Sequence, residues 1–243
     1  MSAVKVALVT GGAVRLGRAI VTDLAGAGWT VAFTYRSSAV AASELAATLG
    51  QQGARTVTIE ANLDTAESWS SIAARVQSEL GGLDALVNSA AVFPRTPFDE
   101  LTPARFAEVM RTNLEAPVFL AQACARMLRQ RRGAVVNIAD IYGSFPLREH
   151  LAYSVSKAAL IAATRSLAVD LAPEVRVNAV APGIAMFPEG YDQPTRERLL
   201  ARTLLRREGG AAEIARVVRF LIEGAETVTG QMITVDGGRT LVL

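Results

Sequence analysis

Seven short apolar runs, rich in β-branched residues, alternate with helical spans from one end of the chain to the other. This alternation limits the fold more tightly than any single motif. The runs fall at residues 4–10, 29–35, 56–60, 83–87, 134–138, 175–180 and 231–235. Segments such as VKVALVT and AVVNI have the composition of strands buried on both faces of a sheet. Between the runs, helices are expected over 15–27, 39–51, 66–79, 101–129, 152–171 and 211–222. Such a repeat predicts an α/β fold built on a doubly wound, seven-stranded parallel sheet. No linker, internal repeat or low-complexity stretch divides residues 1–243, and α/β domains reach this length undivided. A single domain is therefore expected.

Composition removes several classes of function. With 51% hydrophobic and 20% charged residues, the chain can build a large core and does not read as disordered. A formal net charge of +2 and the lack of any long basic run leave no footprint for nucleic acid. Cys124 and His150 are each the sole residue of their type, which excludes an internal disulfide and any Cys- or His-rich metal site. No apolar run approaches the ~18 residues that suggest a membrane span. The first residues lead directly into a strand without a secretory pattern. The expectation is a cytoplasmic protein with no metal, no nucleic acid and no membrane partner.

Ligands of doubly wound sheets bind beyond the C-terminal ends of the strands, and small or polar residues gather at those positions. The first run ends at Thr10-Gly11, and a helix opens near Arg15, Leu16 and Gly17. A strand, a glycine turn and a helix N-terminus together form an anion site, because free N–H groups and the helix dipole face a phosphate. Dinucleotide folds usually carry glycine where Arg15 stands. The second run ends at Tyr35-Arg36-Ser37-Ser38, with no acid before Glu44. A carboxylate there would bind the ribose hydroxyls of NAD, whereas a basic residue accommodates the 2′-phosphate of NADP. Arginine with hydroxyls is phosphate chemistry, so NADPH is the expected cofactor. Asn88-Ser89-Ala90 follows the fourth run, and these small residues would let a cofactor lie against the backbone. Ala181-Pro182-Gly183 follows the sixth. Residues 184–202 read as an excursion with a short amphipathic helix near 193–202.

The fifth run opens onto Asp140, and thirteen residues later Tyr153 and Lys157 sit on a helix free of Pro and Gly. Positions i and i+4 share a helix face, so the phenol and the ammonium point the same way. A cation nearby favours phenolate and lowers the phenol pKa, making tyrosine a proton donor and acceptor at neutral pH. Among the 25 basic residues only Lys5 and Lys157 are lysines. An ammonium is compact and can donate to two partners at once, which the planar guanidinium fork does less well.

Thr10-Gly11…Gly17, Asn88-Ser89-Ala90, Asn113, Tyr153…Lys157, Pro182-Gly183 and Asp236-Gly237-Gly238 occur in order and well spaced over essentially the whole chain. In this the chain resembles the short-chain dehydrogenase/reductase family. The resemblance implies a Rossmann fold, nicotinamide-dependent hydride transfer and commonly a homotetramer. It implies Tyr153 as proton donor, Lys157 on the nicotinamide ribose, and Asn113 on a water-linked proton path. Implied cofactor contacts are Gly11, Arg15, Leu16, Gly17, Tyr35, Arg36, Ser37, Ser38, Asn62, Leu63, Asn88, Ser89, Ala90, Tyr153, Lys157, Pro182, Gly183 and Ile184. Asn62 replaces the usual Asp on the adenine amino group, and an amide carbonyl can accept that bond.

Three departures are informative. Asp140 replaces the usual Ser, Arg15 replaces the second glycine, and Phe93 follows the Asn88 motif. An ionised carboxylate accepts hydrogen bonds but donates none, so it suits a substrate with N–H groups and a ring nitrogen to protonate. Together these changes resemble the pteridine reductase branch. They imply Arg15, Phe93, Asp140 and Tyr153 as substrate contacts, with residues 184–202 as the substrate loop. The lesser alternative for Phe93 is a loop residue packed on the core, whereas His150 fits a pocket lining and a helix-start surface position equally. The leading expectation is reduction of a pterin C=N bond, dihydrobiopterin- or dihydropterin-like, dihydrofolate included. The alternatives are a carbonyl or 3-oxoacyl-thioester reductase, and a binding protein that kept the fold without catalysis.

Overall fold

In the computed structural model, which describes residues 4–187 and 190–242, each apolar run becomes a strand. These are β1 (Val6–Val9), β2 (Thr30–Tyr35), β3 (Thr56–Glu60), β4 (Ala85–Asn88), β5 (Ala134–Ile138), β6 (Arg176–Pro182) and β7 (Met232–Val235). All neighbours pair in parallel, in the order β3-β2-β1-β4-β5-β6-β7. The helices are α1 (Arg15–Gly26), α2 (Ala39–Gln51), α3 (Ala66–Leu80), α4 (Pro103–Met110), α5 (Ala116–Arg131), α6 (Leu151–Leu171), α7 (Gln193–Ala201) and α8 (Ala211–Glu223). Among the described residues no helix is long and apolar enough to cross a membrane.

Successive strand residues point to opposite faces, and the core divides accordingly. Ala7, Val9, Val31 and Phe33 pack with Ile20 and Leu24 of α1, Leu45 and Leu49 of α2, and Ile214 and Val218 of α8. Val6, Leu8 and Ala32 pack with Ile72 of α3, Leu120 and Leu128 of α5, and Leu171 of α6. Both faces are covered, which is why the runs read as continuously apolar rather than alternating.

The expected helix over 101–129 is not one helix. A 3-10 turn (Phe98–Glu100) precedes α4, whose N-terminus is capped by Thr102: its hydroxyl oxygen accepts from the Arg105 N–H at 3.2 Å. A π turn (Arg111–Glu115) then separates α4 from α5. Pro117, in the first turn of α5, has no N–H to return to the carbonyl four residues back, at Asn113. The wider turn accommodates that loss and swings Asn113 inward, as π turns do at functional positions. In the excursion over 184–202, α7 forms as expected, while residues 188 and 189 lie outside the described residues. The expected first strand shortens from 4–10 to Val6–Val9, and the fourth begins two residues later than expected.

Candidate active site

The sheet order reverses between β1 and β4, and a cleft of about 360 Å³ opens at their C-terminal ends. Two threonines build its floor. The Thr10 hydroxyl oxygen accepts from the N–H groups of Ser89 and Ala90, both at 3.0 Å, tying the loop after β1 to the loop after β4. The Thr34 hydroxyl oxygen accepts from the Gly11 N–H at 3.1 Å. A Cβ on Gly17 would run into the Gly11 carbonyl, so only glycine lets the start of α1 press onto this turn. No side chain caps α1 at Val14, which leaves its first N–H groups free toward the cleft. Arg15 adopts φ +51°, a left-handed conformation that favours glycine, which explains why dinucleotide folds usually place glycine there. Its side chain is exposed at the cleft wall.

Gly11, Arg15, Leu16, Gly17, Tyr35, Arg36, Ser37, Ser38, Asn62, Leu63, Ser89 and Ala90 all line this cleft. Free helix N–H groups at one end and an arginine with two serines at the other fit a phosphate-bearing dinucleotide with a further phosphate. Asn88 does not line it with its side chain, which is 3% exposed and donates to the Asn137 Oδ1 at 2.8 Å. Asn137 in turn donates to Thr164 at 3.0 Å, so Asn88 starts a polar brace from β4 through β5 into α6. Pro182, Gly183 and Ile184 stand apart from this cleft at the end of β6. There the Gly183 N–H donates to the Val235 carbonyl, and the Ile184 carbonyl accepts from Gly209, each at 3.0 Å. They form the base of the excursion.

Asp140, Tyr153, Lys157 and Asn113 converge beside the cleft. Asp140 opens a 3-10 turn (Ile141–Gly143), its Oδ1 accepting from the Tyr142 N–H at 2.9 Å. Gly143 lets that turn lie on α6, since a Cβ there would come within 2.9 Å of the Ala158 nitrogen. The turn thereby brings the carboxylate to the phenol: the Tyr153 O–H donates to Asp140 Oδ2 at 2.8 Å. Lys157 is 3% exposed and donates to the Ile138 carbonyl at 2.7 Å, its nitrogen 5.7 Å from the Tyr153 ring centre. The Asn113 amide pairs both ways with the Val92 backbone, at 2.9 and 3.0 Å, and donates to Ser156 at 3.1 Å. Asn113 thus ties the loop after β4 to α6.

The electrostatics depart from the sequence expectation. Tyr153 was expected to titrate below the usual phenol value, drawn down by Lys157. Instead burial, followed by the Asp140 carboxylate that accepts its proton, holds the phenol well above that value. Burial likewise pushes the Asp140 carboxyl up, against the pull of the Tyr142 N–H, the Tyr153 hydroxyl and the Lys157 charge. Burial draws the Lys157 ammonium down to about 8, with the Asp140 charge opposing the shift. Burial opposes ionisation of both the carboxyl and the phenol, which share one hydrogen bond, while Lys157 keeps its ammonium up to about pH 8.

Phe93 is 48% exposed and does not pack into the core. Its ring stacks on His150 with centroids 4.5 Å apart and planes 21° apart, and meets the Tyr153 ring edge-on at 4.5 Å. His150 therefore belongs to the site through Phe93, with its Nδ1 2.9 Å from the Arg148 carbonyl. The sequence reading overlooked Tyr142, whose place two residues after a turn-initiating Asp is the signal that could have found it. Among the described residues no cluster of His, Cys, Asp or Glu could hold a metal ion.

Residues 12–240 match the family described as enoyl-(acyl carrier protein) reductase. A 3-oxoacyl-[acyl-carrier-protein] reductase, FabG, from Staphylococcus aureus is 34% identical, over 98% of this chain and 99% of its own length. A dihydromonapterin reductase from Citrobacter koseri is 32% identical, over 96% of each. The solved structure of FolM alternative dihydrofolate reductase 1 from Brucella canis, complexed with NADP, superposes with a TM-score of 0.90 at 34% identity. That match covers 100% of this chain and 97% of the other. Similarity of this extent, on a sheet whose order reverses at the predicted cleft, settles the kinship: the chain belongs to the short-chain dehydrogenase/reductase family.

Proposed function

We propose that the protein is an NADPH-dependent reductase of pterins of the dihydrobiopterin or dihydropterin kind, dihydrofolate included, acting on a ring C=N bond. The observation that carries this reading is the 2.8 Å hydrogen bond from the Tyr153 phenol to the Asp140 carboxylate. A ketone develops negative charge on oxygen during reduction and needs donors aimed at it. An ionised carboxylate at that point opposes it. A pterin offers ring N–H groups to the carboxylate and requires a proton on the nitrogen beside the reduced carbon.

NADPH, when bound, supplies the hydride. Arg36 with Ser37 and Ser38 would hold its 2′-phosphate, and Gly11, Arg15 and Gly17 its diphosphate. The proton is the chain's own task. Tyr153 supplies the proton to the ring nitrogen, and the Asp140 carboxylate beside it holds the phenol and the pterin N–H groups in place. Lys157 fixes the depth of α6 against β5 and presents its charge beneath the phenol ring. Half-exposed Phe93, backed by His150, offers an aromatic face to a flat heterocycle.

The relatives named for dihydromonapterin and dihydrofolate support the same substrate class. A second reading, a 3-oxoacyl-thioester reductase, is favoured by the FabG relative. Mixing purified protein with NADPH and either dihydrobiopterin or a 3-oxoacyl thioester, and following loss of NADPH absorbance, separates the two. Turnover of the thioester without the pterin would overturn our reading. We extend the reading to a homotetramer, supported by apolar side chains exposed on both α6 and α8.

A further inference from the structure

A separate cavity, of about 370 Å³, is bounded by Tyr142, Phe145, Pro146, Leu147, Arg202 and Arg239. Tyr142 ties this cavity to the reacting centre, since its N–H donates to Asp140 Oδ1 at 2.9 Å. Its wall carries two cations. Arg239 opens the 3-10 turn after β7 and is only 4% exposed. One of its terminal nitrogens donates to the Leu199 carbonyl of α7 at 2.9 Å, while its Nε is enclosed with no hydrogen-bond partner. Among the described residues no carboxylate lies within ion-pair distance of Arg239 or Arg202. Asp236, three residues earlier, already accepts from the Gly238 and Thr240 N–H groups and the Thr240 hydroxyl.

Arginine keeps its charge throughout the physiological range, and a guanidinium removed from water without a counter-charge is unfavourable. Arg202, at the end of α7, brings an exposed second guanidinium to the same cavity. Guanidinium forks match carboxylate and phosphate oxygens in pairs. We infer that this cavity is a subsite for an oxyanion, carboxylate or phosphate, on the tail of the substrate whose ring lies at Asp140 and Tyr153. The inference rests on the pterin reading and extends it to dihydropterins with acidic side chains. The Leu199 bond of Arg239 also anchors α7, so the subsite and the substrate loop are built from the same residue.

The test compares three dihydropterins with one head group and different tails: dihydrobiopterin, which is neutral, dihydrofolate, and dihydroneopterin monophosphate. In Arg202→Gln, the preference for an acidic over the neutral tail, as a ratio of kcat/KM values, should fall about tenfold, mainly through KM. Arg239→Gln should lower it at least as far and Arg239→Lys should restore part, with thermal melting to verify folding. The acid tail that loses more identifies the carboxylate or the phosphate as the ligand. An unchanged ratio in Arg202→Gln and in a folded Arg239→Gln overturns the subsite. Should no dihydropterin be turned over, the functional reading has failed, and the subsite is read by binding instead. p-Aminobenzoylglutamate and inorganic phosphate are then titrated into the NADPH-bound protein. Affinity lowered about tenfold by Arg202→Gln supports the cavity, and no binding, or binding indifferent to the substitution, rejects it.

Discussion

Lys157 donates to a backbone carbonyl in a place where an ammonium is poorly solvated, and its pKa falls from 10.5 to about 8. Between those values the unfolded chain holds a proton that the folded chain has released, so this group makes stability rise with pH across that window. Below about 8 the charged lysine burdens the fold, by about 3 kcal/mol at most. Lys157→Met should therefore stabilise the cofactor-free protein at pH 7 by about 2 kcal/mol, after allowing about 1 for the lost hydrogen bond. The advantage should shrink between pH 8 and 10.5, as thermal melts of both proteins would record. Activity should be lost in the same variant. A Lys157→Met protein no more stable than the parent would mean that the ammonium is solvated. Asp140 behaves in the opposite sense. Burial raises its pKa, so the carboxylate that holds the phenol and the pterin N–H groups is lost at a higher pH than an ordinary carboxylate would be. Pterin turnover should therefore fall as the solution is acidified. Asp140→Ser should cut pterin turnover ~10²-fold or more, spare ketone reduction, and remove that limb from the pH profile. Tyr153 and Lys157 were legible in the sequence because i,i+4 spacing fixes a shared face, and Asp140 because it stands at the mouth of the fifth strand where the family usually has Ser. The direction of the Tyr153 shift was not, because it depends on burial and on which side chain takes the phenol proton.

At the scale of elements, the loops after β1 and β4 make the cleft, and each is held by one improbable device. After β1 it is Arg15 in a left-handed conformation. A side chain there costs roughly 1–2 kcal/mol, partly offset in any glycine replacement by the entropy of the unfolded chain. Arg15→Gly should raise stability by about 1 kcal/mol or less while weakening NADPH binding several-fold. The fluorescence of Trp69 offers a reporter, since its indole N–H donates to the carbonyl of Leu63 on the cleft wall. Equal NADPH affinity in the glycine variant would remove Arg15 from the phosphate site. After β4 the device is the π turn and Asn113. Asn113→Ala deletes the paired bonds to Val92 and should cost about 1–3 kcal/mol, loosening residues 89–92. The helical pattern over 101–129 concealed this break because apolar spacing drifts little across one widened turn. Pro117 was the visible signal, a missing N–H where α5 begins. The strands, by contrast, were legible almost residue by residue, since burial on both faces leaves each run continuously apolar.

Across the whole molecule, the sheet brings together residues that no local pattern relates. Thr10 joins Ser89, Asp140 joins Tyr153, and Arg239 reaches α7. The first two follow from strand order, which the alternation of elements implied. The third depends on the path of the chain after β6, and no periodicity encodes it. Assembly belongs to this scale as well. Val155 and Val169 of α6 and Phe119 of α5 are exposed on one side of the sheet, and Phe220 of α8 is exposed on the other. A single apolar surface closes into a dimer about a two-fold axis, and two such surfaces on opposite sides generate a tetramer with perpendicular axes. Light scattering should therefore return four times the 25.7 kDa chain mass. A charge placed on one surface should interrupt one axis only. Phe220→Glu should yield a dimer that still folds, because the side chain is exposed in the single chain and its removal leaves no cavity in the core. Val169→Glu should do the same through the other surface, and the two together should give a monomer. A parent protein of monomeric mass at micromolar concentration would show that these surfaces are solvated, and the site would then be complete within one chain.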